Sequence, residues 1–197
     1  VASACGTKQS ALLLREPAGE SAGNVVKVGF VVLDTSSLAK NLGITFAPTG
    51  DLSKQIEALT DEVNRMGGLA GRPMKAVIRV YDAFGDSAPK EEELCKAFTQ
   101  DDGVDAVVLQ GQLFPNARPC YVAAKKIILD TTAYPTGQAT FEELAPYFCQ
   151  PSYPEYGAVL AALVRDLDRA GFFTKAKLGV VGIDSPVNRR VWQRDIQ

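Results

Sequence analysis

The amino-acid sequence predicts an α/β protein built on a doubly wound parallel sheet. Val25 to Leu33 is an apolar, β-branched run with a single Lys, the pattern of a strand buried on both faces, and Val104 to Leu109 is a further strand. Amphipathic segments separate such runs, and a patch of polar residues follows each of them directly. Strands that alternate with helices pair in parallel through right-handed crossovers, and the ligands of such sheets lie beyond the carboxyl ends of the strands.

The elements follow in order. Val25 to Leu33 is the first strand, and Asp34 to Ser37 a small polar loop behind it. From about Ala47 to Met66, Leu52, Ile56, Leu59 and Val63 recur at spacings of four, three and four, which makes an amphipathic helix. Gly67 and Gly68 end it, the first suited to the left-handed position past a helix end. Leu69 to Pro73 then turns the chain into a second strand, Met74 to Tyr81. Asp82 to Pro89 is a loop, and Lys90 to Thr99 a short helix opened by three glutamates, the sign that the helix dipole favours at its amino end.

Val104 to Leu109 is the third strand, followed by a loop from Gln110 to Asn116 and a helix around Ala117 to Lys125, with Pro119 in its first turn. Ile127 to Leu129 is a short fourth strand, Asp130 to Thr140 a Thr-rich loop, and Tyr147 to Gln150 a brief fifth strand. Tyr156 to Ala170 is a long helix with Val159, Leu160, Leu163, Val164 and Leu167 on one face. Leu178 to Ile183 starts a new buried strand and Asn188 to Gln197 a helix. Left without further strands, Leu178 to Ile183 exposes a sheet edge; it either opens a second lobe or joins the first sheet. The expected organisation is a tether over residues 1–24, a first lobe over 25–146, and a crossover with the beginning of a second lobe over 147–197.

Composition narrows the function. The 197 residues are 46% hydrophobic and 22% charged, which excludes collagen-like and disordered chains. Lys and Arg number 21 against 23 Asp and Glu, so no positive field exists to hold nucleic acid. Histidine is absent, which removes the usual general base near neutral pH and the commonest zinc ligand. The apolar runs fall far short of the roughly 18 to 20 residues that cross a bilayer. GGLAG follows a helix and precedes a strand, the reverse of the order that aims amides at a phosphate, and no GxGxxG, GxxxxGK[ST] or GxSxG is present. No catalytic residue, cofactor or metal is assigned.

The four cysteines divide in two. Cys5 follows a run of small residues similar to the end of a bacterial lipoprotein signal; lipidation of Cys5 is one reading and a chance cysteine in a frayed terminus the other. Cys95, Cys120 and Cys149 lie inside the folded region, where a buried thiol is a common packing residue. If Cys95 and Cys120 fall on consecutive crossover helices on one face of the sheet, they are placed to form a disulfide and leave Cys149 unpartnered.

The block Leu59-Thr60-Asp61-Glu62-Val63-Asn64-Arg65-Met66-Gly67-Gly68-Leu69-Ala70-Gly71-Arg72-Pro73 resembles a helix end and turn of the substrate-binding proteins of ABC transporters, in the leucine, isoleucine and valine-binding group with the type I periplasmic-binding fold. Tyr81-Asp82 with Asp86, Pro146-Tyr147-Phe148 with Pro151-Ser152, and Lys177 to Asp184 are similar to further segments of that group, over about Val25 to Gln197. The resemblance implies a non-enzymatic, extracytoplasmic protein that holds a small polar solute, an amino acid or a related compound, between two lobes and delivers it to ABC permease subunits. Contact with the membrane then comes only through a lipid anchor at Cys5.

By the same resemblance the solute meets Gln112, Phe114 and Asn116 after the third strand, Thr131, Thr132 and Tyr134 after the fourth, and Tyr153 at the lobe junction. Gln112 and Asn116 supply amide donors and Thr131 and Thr132 hydroxyls, the groups a carboxylate requires. The loop after the third strand departs from the Gly-, Ser- and Thr-rich form of the group, because Leu113 and Phe114 narrow it. Two other classes compete. One is a ligand-sensing receptor or regulatory domain of the same fold. The other is an enzyme with a divalent cation held by Asp34, Asp82 and Asp130 at successive strand ends.

Overall fold

The computed structural model describes residues 25–43, 45, 50–82, 84–112, 117–132, 136–151 and 154–175, with positions 177, 179, 189 and 193. The expected tether over 1–24 with Cys5, the strand Leu178 to Ile183 and the helix from Asn188 lie outside the described residues, apart from isolated positions. So do Phe114, Asn116, Tyr134 and Tyr153.

Five strands form one parallel sheet: β1 (Val26–Asp34), β2 (Met74–Asp82), β3 (Ala106–Leu109), β4 (Ile127–Asp130) and β5 (Phe148–Cys149). Their order is β2-β1-β3-β4-β5. All five were expected, because each is written in the sequence as a short, mainly apolar run. The order reverses between β1 and β3, which makes the carboxyl ends of these two strands the topological switch point.

Helices cover the sheet from both sides. On one face α2 (Leu52–Arg65) lays Ile56 and Val63 against Val26, Val28, Phe30 and Met74. On the other, α3 (Ala88–Lys96), the π-helical turn Ala97–Asp101 that continues it, and α4 (Arg118–Ala123) bring Leu94, Cys95, Phe98 and Tyr121 onto Val31, Val107, Ile128 and Phe148. Cys95 and Cys120 join α3 to α4 by a disulfide, with their Cα atoms 6.4 Å apart. Cys149 is disulfide-bonded too, which corrects the expectation that it lacks a partner.

Two helices were not expected. Where the sequence predicts a polar loop after β1, α1 (Ser36–Leu42) begins, with Asp34 accepting from the Ser36 amide at 2.8 Å and Gly43 closing the helix at φ 64°. In the Thr-rich loop, α5 (Gln138–Glu143) starts at Gln138. Both are too short to show a clear helical period. The last described helix, α6 (Tyr156–Arg169), is capped by Glu155, whose carboxylate accepts from the Gly157 and Ala158 amides. Its apolar stripe is not packed on the sheet: Val159, Leu163 and Val164 are exposed.

The Gly-Gly block is a scaffold at the amino ends of the strands. The Asn64 side-chain amide donates to the Met74 carbonyl at 2.9 Å, and its oxygen accepts from the Met74 amide at 2.6 Å. This clasp holds the end of α2 to the start of β2. Gly68 sits at φ 76°, and a Cβ there would lie 2.0 Å from the Arg72 carbonyl oxygen, so only glycine closes the turn.

Candidate functional site

The carboxyl ends of the strands carry the polar residues. Asp34 and Asp82 stand side by side in register at the ends of β1 and β2. The Asp34 carboxyl is held below its usual range, first by the backbone amide of Ser36 and then by the Ser36 hydroxyl. Asp82 accepts from the Phe84 amide at 3.0 Å. These acids cap local turns, and Asp130 is engaged elsewhere, as described below. Among the described residues no group of three or more Cys, Asp or Glu side chains is placed to hold a metal ion.

The loops after β1 and β3 meet at the switch point. Gly111, at φ 78°, packs against Leu33; a Cβ on it would fall 2.5 Å from Leu33 Cδ1. Gln112 follows and turns inward, with 5% of its surface exposed. The loop after β4 is tied to β3, since both the amide and the hydroxyl of Thr131 donate to the Leu109 carbonyl, at 2.9 and 2.8 Å. Thr131 is half-buried, and its hydroxyl oxygen keeps accepting capacity.

Thr132 is placed differently. It is buried, its amide and hydroxyl donate to Asp130 Oδ1 at 2.9 and 2.5 Å, and its hydroxyl oxygen accepts from an Arg118 guanidinium nitrogen at 3.1 Å. Arg118 Nε donates to Asp130 Oδ2 at 2.6 Å, and a second guanidinium nitrogen pairs with the same oxygen. The guanidinium lies 5.6 Å from the centre of the Phe148 ring, and Gln150 donates to the Thr132 carbonyl at 3.3 Å. Arg118, Asp130, Thr132 and Gln150 thus lock the ends of β4 and β5 to the first turn of α4. Sequence reasoning missed Arg118 and Gln150. The available signal was an arginine in the first turn of a helix otherwise made of apolar residues.

Gln112 and Thr132 line one small cavity of about 10 Å³, together with Glu91, Arg118, Tyr121 and Asp130 and the apolar side chains of Leu94, Leu109 and Ala117. A larger apolar hollow of about 340 Å³ lies on the α2 side of the switch point, between Phe30, Leu52, Ile56, Leu59 and Val108, with Gln55 and Gln110 at its polar edge. Burial is the main cause that raises the Tyr121 phenol above its ordinary range, with Glu91 adding to it. Burial likewise raises Tyr81, followed by its hydrogen bond to Asp86.

Known structures share this fold. An ABC transporter substrate-binding protein from Desulfitobacterium hafniense, in complex with Leu, matches with a TM-score of 0.53 at 17% identity, over 75% of this chain and 40% of that one. A second structure of an ABC transporter substrate-binding protein from that organism gives 0.52 at 18% identity over the same shares. The fold is that of the type I periplasmic-binding proteins. The branched-chain amino acid transporter substrate binding protein LivJ from Streptococcus pneumoniae, in complex with isoleucine, overlaps at 0.42 with 18% identity, over 64% of this chain and 33% of that one. This chain therefore spans about 40% of the length of the two structures that match it at a TM-score above 0.5. No protein-family model and no curated protein matches it. Gln112, Thr131 and Thr132 stand just after the carboxyl ends of β3 and β4.

Proposed function

We propose that the chain is the solute-binding part of an extracytoplasmic protein that delivers a small polar solute, an amino acid or a related compound, to the permease subunits of an ABC importer. The observation that carries this reading is the parallel sheet of order β2-β1-β3-β4-β5 with Gln112 and Thr131 in the loops at its carboxyl ends, in a fold shared with ABC transporter substrate-binding proteins. Its chemistry is that of binding. The acids at the strand ends are held in caps and an ion pair, while Thr131 keeps a hydroxyl oxygen for a polar solute, and Gln112, its amide turned inward, supports the loop after β3.

The Cys95–Cys120 disulfide supports an extracytoplasmic compartment, since such bonds persist where the surroundings are oxidising. No described helix is long and apolar enough to cross a membrane. The division into two lobes, with a crossover from about residue 147 leading into the second, is supported by the exposed apolar stripe of α6, which another element would bury. Phe114, Asn116, Tyr134 and Tyr153 complete the proposed contact set.

A thermal-shift screen of the full-length protein against amino acids, short amides and aromatic acids tests the reading. A solute present at 100 times its dissociation constant stabilises the folded state by about 2.7 kcal/mol. Stabilisation by one class, weakened by Gln112→Ala or Thr131→Val, is the expected result. Failure of every class to stabilise the protein overturns it.

A further inference from the structure

Gln112 and Tyr121 bury polar atoms that the protein leaves unpaired. Gln112 enters the interior because Gly111 turns the chain inward after β3, and neither its amide nitrogen nor its amide oxygen meets a hydrogen-bond partner. Tyr121 comes from α4 with none of its surface exposed, and its hydroxyl is also unpartnered. Buried donors and acceptors are nearly always paired, with protein or with ordered water. Three such atoms around one cavity therefore require an account.

The cavity that both side chains line is of the right kind. Its volume of about 10 Å³ is near the lower limit for one water molecule, and although Leu94, Leu109 and Ala117 share its lining, the unpaired Gln112 and Tyr121 atoms supply the two to four polar partners that a buried water requires. We propose that this is a built water site, in which one ordered water molecule hydrogen-bonds the Tyr121 hydroxyl and the Gln112 amide. The water ties the loop after β3 to α4 and holds Gln112 in its inward-turned position. The site stands whether or not the crevice takes a solute.

A crystal structure of the full-length protein, at a resolution that orders solvent, tests it together with one stability comparison. Density for a water within hydrogen-bonding distance of both Tyr121 Oη and an amide atom of Gln112 is the expected result. The substitution Tyr121→Phe then takes away one anchor of the water and lowers the thermal midpoint by about 2–4 °C, the shift of a single net hydrogen bond in a chain of this size. If the hydroxyl has no partner, removing it is neutral or raises the midpoint, because an unsatisfied buried group has been deleted. A dry cavity, a water that touches only one of the two side chains, or an unchanged or raised midpoint in Tyr121→Phe overturns the proposal. Gln112→Met, which fills a similar volume without polar atoms, gives the second reading: loss of the water density is expected, and its persistence is contrary to the inference.

Discussion

Arg118 and Asp130 form a buried ion pair, with 5% and 0% of their side chains exposed, beneath the loop that carries Thr131 and Thr132. The pair belongs to two elements whose order the sheet dictates, since Arg118 opens the crossover helix that leads into β4 and Asp130 ends that strand. Its neighbours fill the remaining hydrogen-bonding capacity. Thr132 donates twice to Asp130 and accepts from Arg118, so the ion pair also sets the path of the chain leaving β4.

Removing one member leaves the other charge buried without its counterion. Arg118→Met is expected to cost about 3–5 kcal/mol in urea unfolding. Combined with Asp130→Leu the loss becomes smaller, because a matched apolar pair carries no desolvation penalty. Recovery stays incomplete, since the Thr132 amide and hydroxyl lose their acceptor. A double variant as unstable as the sum of the two single variants would show that the pair is not coupled.

Gly111 is constrained twice, by its positive φ and by Leu33. Gly111→Ala is expected to destabilise by more than the roughly 1 kcal/mol of a left-handed alanine, because its Cβ also meets Leu33 Cδ1 at 2.5 Å. Leu33→Ala removes that clash, so a double-mutant cycle in urea should return a favourable coupling of at least about 0.5 kcal/mol. Additive effects would mean that backbone conformation alone sets the requirement.

The disulfide between α3 and α4 closes a segment with a sequence separation of 25 residues. For a loop of that length the entropy lost by the unfolded chain amounts to about 3.5 kcal/mol. Cys95→Ala with Cys120→Ala should lower stability by about 2–5 kcal/mol, measured by guanidinium unfolding without reductant. Cys95 has no exposed surface, so thiol reagents should reach it in the reduced protein only through opening of the fold.

How much of this could be read beforehand depended on the range of the interactions. Burial on two faces is written locally, so Val26 to Asp34 announces itself as a strand without reference to any other residue. The period of Leu52, Ile56 and Val63 does the same for α2, although the resemblance alone singled out Asn64, and its clasp on Met74 needed coordinates. The helices α1 and α5 escaped notice because seven and six residues give less than two turns of pattern, in stretches rich in serine, threonine and glycine. Arg118 escaped because arginine is normally exposed and its partner lies 12 residues away across a loop and a strand. For Thr132 the residue type suggested a free hydroxyl for a solute, and the fold commits that hydroxyl to Asp130 and Arg118.

Tyr81 and Tyr121 set the alkaline limit of stability. Burial raises both phenols above the ordinary value of about 10, and hydrogen bonding to Asp86 adds to the effect at Tyr81. Below that pH the folded and unfolded chains both carry the two phenolic protons, and the contribution to stability is intact. As the pH rises past about 10 the unfolded chain releases them while the folded chain retains them. The folded state then binds more protons than the unfolded state, and linkage requires stability to fall with increasing pH. Urea midpoints compared at neutral pH and above pH 10 should therefore decline, and Tyr81→Phe should flatten the decline because its ring has no proton to lose. Tyr121→Phe should flatten it as well, whatever its effect at neutral pH. An alkaline decline equally steep in both variants would place its origin in other groups.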